Sequence, residues 1–349
     1  MNATKPLLND ANPRIGTGKK GNCLIGPCHP FALVRLGPDV TFPQPTSGYR
    51  PGRPIIGFSH THLSGTGGCT RYGNLRLMPF LGPPRRLPAA PFVTFPATDR
   101  RWSVPLEEHA EIGLYRCRFR FGVDVTLVAT PRTGSHHYRF TGAGPRHVLV
   151  DLAAVLQGGA APSGQMPYCE DWEMESCSLD GTVEVLGWHE LAGRSDFRGG
   201  WGHVDPYTVF FFVRSREPFE RAELFTAKGP VDHSVAEGSG LRVLLTYPET
   251  RRDICLDVGV SFFSLAGART AVDTENSGFT AEVLHAKTRA AWAPWLGLVE
   301  VEGGTPLQRS LLATLASSPL HHADGPGRRR PPSRSEPIYR HRLPVGQHS

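Results

Sequence analysis

The stretch YRCRFRF, Tyr115 to Phe121, decides the fold class because its residues alternate strictly in character. The aromatic residues and Cys117 occupy every second position, and three arginines occupy the positions between them. Successive side chains of a β-strand point to opposite faces, so this period of two predicts a half-buried strand. Gly122 then marks a turn, and the alternation resumes at Val123.

The same pattern recurs along the chain, separated by turn residues. With 39 glycines and 32 prolines, the sequence has enough chain-breaking residues to interrupt any long helix. Many short strands with turn signals between them predict a mainly β protein built as a β-sandwich. The further predicted strands are HVLVDLA (His147–Ala153), TVEVLGW (Thr182–Trp188), TVFFFVR (Thr208–Arg214), LRVLLTY (Leu241–Tyr247) and ICLDVGVSF (Ile254–Phe262).

The periodicity changes to that of helices near Ser277. This serine is a plausible N-cap for a helix over FTAEVLHAKTRAAWAPWLGLVE. A second helix is predicted after Thr305, which forms a capping-box pattern with Gln308 and is followed by Pro306 at the first helical position. We therefore expect a flexible N-terminus over residues 1–11, a sandwich over 12–275, a helical segment over 276–320 and a tail over 321–349.

The tail carries most of the positive charge. The formal net charge is +6, and residues 325–349 hold six arginines against one glutamate, so residues 1–324 are almost neutral. The tail is predicted to be disordered because it has no periodicity and few apolar residues. It could bind nucleic acid non-specifically, or it could be a GC-rich gene read in the wrong frame. The folded part gives no charge-based reason to expect nucleic acid.

Cysteines and hydropathy limit the cellular context. The seven cysteines form no C-x-x-C pair, which favours free thiols in a reducing compartment. No run of about eighteen apolar residues exists, so no membrane partner is expected. The N-terminus as written has no apolar segment typical of a secretory signal, although the compartment stays open.

The stretch SHTHLSGTGG, Ser59 to Gly68, is the most distinctive motif. His60 and His62 would share one face of a strand, and the Gly-rich loop after them could bring backbone groups close to a ligand. The two histidines could instead hydrogen-bond within the sandwich or across a domain interface, and as metal ligands they would need a third partner.

Three stretches together resemble glycoside hydrolase family 92, the calcium-dependent α-mannosidases. They are NPRIGTGKKGNCLIGPCHPFALVRLGPDV (Asn12–Val40), IIGFSHTHLSGTGGCTRYGNLRLMP (Ile55–Pro79) and VEVEGGTPLQRSLLATL (Val299–Leu315). The resemblance implies a galactose-mutarotase-like β-sandwich followed by an (α/α)₆ barrel, of which two helices here would be an incomplete beginning. It implies inverting hydrolysis of α-mannosides by two carboxylates, assisted by calcium.

In the family, the carboxylates and the calcium ligands come from the barrel, and no position of this sequence matches them. We therefore expect no catalytic residue, no calcium ligand and no hydrolysis from this chain, which would have a missing barrel domain as its partner. Without that barrel, Trp292, Trp295, Leu311, Leu312 and Leu315 would be exposed and would promote association.

The sandwich should instead contribute one wall of the mannoside cleft. The alternatives are a non-catalytic carbohydrate-binding module or an inactive truncation product, and each would take a mannose-containing glycan if it binds sugar. Some of the polar side chains could equally stabilise turns. Lys19 and Lys20 depart from the commonest pattern of the family, so the type of glycosidic linkage stays open. The expected substrate-binding residues are His60, His62, Ser64, Gly65, Thr66, Gly67, Asn22, Asn74 and Trp201.

Overall fold

The computed structural model describes most of the chain as a β-sandwich followed by helices. The described residues are 7–18, 21–40, 48–63, 72–83, 85–87, 90–94, 103–156, 177–199, 205–317 and 339–342. The strands are β1 (Gly37–Val40), β2 (Ile55–Ser59), β3 (Arg76–Leu81), β4 (Arg85–Leu87), β5 (Ala90–Thr94), β6 (Pro105–Glu111), β7 (Leu114–Phe119), β8 (Val123–Ala129), β9 (Thr133–Phe140), β10 (Arg146–Asp151), β11 (Cys177–Leu186), β12 (Glu190–Arg198), β13 (Tyr207–Ser215), β14 (Arg221–Thr226), β15 (Gly229–Val231), β16 (Val235–Glu237), β17 (Arg242–Tyr247), β18 (Asp253–Ser261), β19 (Val299–Glu302) and β20 (Tyr339–Arg342). The helices are α1 (Leu265–Glu275), α2 (Ala281–Leu296) and α3 (Pro306–Ser317), with one 3₁₀ turn at Leu7–Asn9.

Two antiparallel sheets form the sandwich. The first has seven strands in the order β1–β2–β3–β10–β17–β14–β15, and the second has nine in the order β16–β11–β12–β13–β18–β9–β8–β7–β6. Their facing sides enclose one large apolar cluster, which includes Phe58, Phe119, Phe211 and Tyr247. The predicted fold class is therefore confirmed.

The alternation predicted for YRCRFRF is confirmed along the strand β7. Tyr115, Cys117 and Phe119 are buried in β7, and Arg116 and Arg118 between them are exposed. The strand ends at Phe119, two residues earlier than predicted, because the chain turns there into β8. Each fully buried apolar side chain of this kind stabilises the fold by roughly 1.5–3 kcal/mol.

The structure has a helix, α1, that the sequence analysis did not predict. It lies within the range assigned to the sandwich, whose last strand ends at Ser261. Its buried residues are Ala268, Ala271 and Val272. Of these, Ala268 and Val272 pack on Phe212 of β13. Small residues give only a weak amphipathic signal, which explains the omission.

The predicted start of α2 is wrong by three residues. Thr280 is the N-cap, and its hydroxyl accepts from the Val283 amide at 3.4 Å. Ser277 cannot fill this role because Gly278 adopts a left-handed φ of 72°, which ends any helix at that point. The capping box of α3 is confirmed, since the Thr305 amide donates to Gln308 and the Gln308 amide donates to the Thr305 hydroxyl.

Trp292 does not have the exposure that the sequence analysis expected. It is fully buried, and its indole N–H donates to the Cys28 carbonyl at 2.9 Å. Trp295 is half-buried and packs edge-on against Phe31, whereas the apolar side chains of Leu311 and Leu315 are exposed on α3. The exposed apolar surface is therefore smaller than expected and lies mainly on α3.

Residues 7–12 are held against the helices, whereas residues 1–6 of the predicted flexible N-terminus lie outside the described residues. Leu7 is buried beside Trp292, and Asp10 forms an ion pair with Arg309 at 2.6 Å. The Asn12 amide donates to the Thr314 hydroxyl at 3.0 Å. These contacts fix residues 7–12 on α2 and α3.

At the other end, most of the predicted tail lies outside the described residues. Within it, Tyr339–Arg342 forms β20, which pairs in parallel with β19, so these four residues differ from the expectation of a tail without structure. In the described part of the chain, no helix combines the length and apolar character needed to cross a membrane.

Candidate functional site

Three of the predicted site residues lie together at the end of β2, and all three are buried. His60, His62 and Asn74 have at most 2% of their surface exposed. Asn22 is half-buried, and within the described residues no hydrogen bond joins it to these three. The remaining predicted residues, Ser64, Gly65, Thr66, Gly67 and Trp201, lie outside the described residues.

Two short irregular segments meet at this point. The His60 amide donates to the Asn74 carbonyl at 3.1 Å, and the Gly73 amide donates to the Thr61 carbonyl at 2.7 Å. Tyr72 and Leu75 have φ values of 61° and 55°, a left-handed conformation that side chains rarely adopt. Such strain persists only where the surroundings determine the backbone, and it is concentrated at functional sites in proteins. This irregular pairing therefore marks the corner as a candidate site.

A buried charged cluster holds His62. Its Nδ1 donates to the Arg35 carbonyl at 2.7 Å, and its Nε2 lies 2.7 Å from Oδ1 of Asp39. Arg76 contacts the other carboxylate oxygen of Asp39 through Nε at 2.5 Å, and the Ser59 hydroxyl donates to Oδ1 at 3.0 Å.

Asp39 is the centre of that cluster. Burial would raise the pKa of its carboxyl, but the charges of Arg76 and His62 and their hydrogen bonds outweigh burial and lower the pKa below its ordinary value. The carboxylate therefore stays ionised inside the sandwich. The contacts of this carboxylate join β1, β3 and the segment after β2.

His60 belongs to a second, neutral chain of hydrogen bonds. Its Nδ1 lies 2.6 Å from the Leu75 carbonyl and must donate, so its Nε2 is left to accept from Nε2 of His136 at 3.0 Å. Nδ1 of His136 then accepts from the Tyr138 hydroxyl at 2.7 Å. We call Tyr138, His136, His60 and Leu75 the histidine relay.

Burial keeps the histidine relay uncharged. It lowers the pKa of His60 to about 4, and burial together with the nearby His60 lowers the pKa of His136 well below its ordinary value. Gly134 is needed beside the ring, because a Cβ there would come within 2.7 Å of His60. His60 is thus a packed, hydrogen-bonded core group in this structure.

A third network reaches the surface at the same corner. The hydroxyl of Thr61 donates to Oδ1 of Asn74 at 3.0 Å, and the Tyr207 hydroxyl donates to the same oxygen at 3.3 Å. The Asn74 side-chain amide donates to the Ala154 carbonyl at 3.4 Å. Tyr72 packs edge-on against Tyr207 with ring centroids 5.7 Å apart, and both rings are half-buried.

The corner is therefore built from three buried networks beneath two partly exposed tyrosines. The sequence analysis did not identify Asp39, Arg76, His136 or Tyr207 as part of the site. The signal for His136 was its spacing of two from Tyr138 in a strand, which places both side chains on the inner face. No local pattern identifies Asp39, because its partners lie 20 to 37 residues away.

A metal centre finds no support among the described residues. They contain no group of three or more His, Cys, Asp or Glu side chains placed to hold an ion. His60 has a histidine neighbour, His136, but no third ligand completes a set. The described residues therefore do not fit the calcium ion that family 92 enzymes are expected to use.

The chain is a two-sheet sandwich followed by helices, and comparison with known proteins identifies it as a domain of a glycosyl hydrolase family. The model of the glycosyl hydrolase family 92 N-terminal domain matches residues 11–261, so the chain belongs to this family. Among curated protein sequences, none matches the chain.

Solved structures of the family have the same fold. The family 92 α-mannosidase BT3965 from Bacteroides thetaiotaomicron aligns with a TM-score of 0.76 at 21% identity, covering 93% of this chain and 42% of that one. The inverting mannosidase BT2199 from the same species aligns with a TM-score of 0.70 at 17% identity, covering 93% and 41%. The chain thus spans about two-fifths of the length of these enzymes.

Proposed function

We propose that the chain is the sugar-binding N-terminal domain of an α-mannosidase and that its buried corner supports one wall of a mannoside cleft. The observation that carries the proposal is the convergence at the corner. Residue 63 and Tyr72 bound the segment 64–71, and Tyr72 contacts Tyr207, which follows the segment 200–204 closely in sequence. Described residues that flank the two segments with the expected sugar contacts, Tyr72 and Tyr207, therefore lie side by side.

In this proposal the buried residues position the wall and do not touch the sugar. His60, His62 and Asn74 fix the backbone on either side of residues 64–71 through the hydrogen bonds described above. Ser64, Gly65, Thr66, Gly67, Asn22 and Trp201 remain the proposed sugar contacts, on the strength of the sequence resemblance. A rigid support of this kind lowers the ordering cost of ligand binding.

The chemistry of the whole enzyme is part of the same proposal. Inverting hydrolysis needs a general acid and a general base about 6.5–9.5 Å apart with a water between them. We propose that an (α/α)₆ barrel supplies this pair and the calcium ligands, and that α2 and α3 lead into it. The exposed leucines Leu307, Leu311 and Leu315 of α3 are the surface available for that packing.

A non-catalytic carbohydrate-binding module is the second candidate. It is favoured by the closed core of the sandwich, since the described strands bury their own apolar side chains without a barrel. The two candidates predict the same ligand for this chain. They differ in whether mannose is released when a barrel domain is present.

The indole N–H signals of the tryptophans provide a direct test by NMR. A ¹⁵N-labelled sample of the 349-residue chain is titrated with methyl α-D-mannopyranoside, and the Trp201 signal is assigned with the W201F variant. We expect a saturable shift of the Trp201 signal and none for Trp292, whose buried indole is an internal control. A Trp201 signal that stays unmoved would contradict the proposed wall, as would an equal response to methyl α-D-glucopyranoside.

A further inference from the structure

A groove of about 830 Å³ opens at one edge of the sandwich, away from the corner described above. Its walls are the end of β11 at Val185, the following turn residues Gly187 and Trp188, the strand β14 and the connection between β15 and β16. Both sheets end here, since β15 is an edge strand of the seven-stranded sheet and β16 is an edge strand of the nine-stranded sheet. The volume is in the range of sites for small organic ligands.

Trp188 gives the groove an exposed aromatic wall. Its side chain belongs to a residue that is 63% exposed, although large apolar side chains are usually buried. The backbone beneath it is fixed, because the Phe219 amide donates to the Trp188 carbonyl at 3.0 Å and the Ser215 amide donates to the His189 carbonyl at 2.7 Å. An indole on such a backbone offers a flat apolar surface, and with only two side-chain torsions it loses little entropy on binding.

The polar side chains of the groove carry almost balanced charge. Arg221 and Glu223 form an ion pair at 3.1 Å, and the exposed residues Asp232 and His233 line the opposite side. A polyanion such as nucleic acid needs an excess of positive charge, which this groove lacks. Carboxylate and guanidinium groups side by side can accept from and donate to the hydroxyls of a neutral ligand.

The groove and the corner are separate places on the sandwich. The corner lies on β2 and β3, and the groove lies on β14 of the same sheet. Four steps of about 4.8 Å between neighbouring strands separate β2 from β14, so the two are roughly 19 Å apart across the sheet. One sugar unit cannot occupy both.

We propose that this groove, with Trp188 as its stacking surface, is a second glycan-binding site that holds a mannose-rich chain away from the cleft. The choice of mannose rests on the proposed function, whereas the choice of a neutral saccharide rests on the groove itself. The flat indole packs against the apolar face of a pyranose. The hydroxyls of the sugar form hydrogen bonds with the flanking side chains of Arg221, Glu223, Asp232 and His233. A second site of this kind raises the local concentration of a polymeric substrate at the cleft.

Affinity electrophoresis with the full chain tests the site. The gel contains soluble yeast mannan, and a gel with dextran serves as the glucan control. We expect mannan to retard the chain and W188A to weaken that binding at least about tenfold, as truncation of a central tryptophan contact does. W188F, which keeps an aromatic face, should lose less affinity for mannan than W188A. The matched control is F263A, which removes an exposed aromatic side chain outside the groove.

The outcomes separate this site from the cleft wall. Equal retardation of W188A and the wild-type chain would overturn the proposal, and so would a wild-type chain that mannan does not retard. In the indole NMR spectrum, mannan should shift the Trp188 signal in the wild-type chain and in W201F. If mannan shifts the Trp201 signal but not the Trp188 signal, only this inference is contradicted. If it shifts the Trp188 signal but not the Trp201 signal, only the proposed wall is contradicted. Thermal unfolding of each variant confirms that it is folded.

Discussion

Acid should destabilise the sandwich because protonation of the histidine relay would break its hydrogen bonds. The pKa of His60 is about 4 in the folded chain, against an ordinary value of 6.5. The unfolded chain therefore binds a proton on His60 at a pH where the folded chain does not. The stability is fully present above pH 6.5 and is lost as the pH falls toward 4.

The size of the effect follows from those two pKa values. Between pH 7.5 and pH 5.0, protonation of His60 in the unfolded chain should lower the free energy of unfolding by about 2 kcal/mol. The limit well below pH 4 is about 3 kcal/mol, at 1.36 kcal/mol for each pKa unit. The lowered pKa of His136 acts in the same direction, so the total dependence of the wild-type chain is larger. The lowered pKa of Asp39 adds a further loss of stability only near and below its ordinary value of 3.8.

Urea unfolding of the wild-type chain and of H60Q at both pH values isolates this contribution. Glutamine keeps a donor and an acceptor but does not titrate, so H60Q should lose about 2 kcal/mol less than the wild type between pH 7.5 and pH 5.0. H109Q is the control, because the His109 side chain is 62% exposed. If wild type and H60Q lose the same stability on acidification, the relay does not work as described.

Four further predictions test other parts of the account. D39N should cost about 3–5 kcal/mol in urea unfolding, because it leaves the largely buried guanidinium of Arg76 without its carboxylate; a cost below about 1 kcal/mol would refute the cluster. W292F should cost about 1–3 kcal/mol through the lost hydrogen bond to a buried carbonyl, whereas the exposed W188F should stay within about 0.5 kcal/mol of wild type. T305A should lower the stability of α3 by about 1 kcal/mol, measured as faster amide exchange in that helix. The purified 349-residue chain with calcium should release no mannose from an α-mannoside, and measurable calcium-dependent release would contradict the proposal that the barrel carries the catalytic pair.

The strands could be predicted from the sequence because their signal is local. From Tyr115 to Phe119 in β7 and from Val123 to Leu127 in β8, buried residues alternate with more exposed ones, so the period of two is visible in about ten residues. The capping box of α3 is local too, since Thr305 and Gln308 are three residues apart. Features of this kind need no knowledge of the rest of the chain.

The contacts of the site depend on residues far apart in sequence. His60 and His136 are 76 positions apart, and Trp292 and Cys28 are 264 apart. For the histidines of the motif SHTHLSGTGG, the sequence offered direct sugar contact and internal hydrogen bonding as equal alternatives. The burial of His60 and His62 favours internal hydrogen bonding, and it makes them supports of the corner.

A crystal structure of the chain with methyl α-D-mannopyranoside would test the central claim most directly. The account predicts one mannoside at the corner of Tyr72 and Tyr207, in contact with the loop Ser64–Gly67 and Trp201, with His60 and His62 still buried beneath it. A mannoside bound only in the Trp188 groove, or none at the corner at a saturating concentration, would contradict the claim that this domain forms a wall of the mannoside cleft.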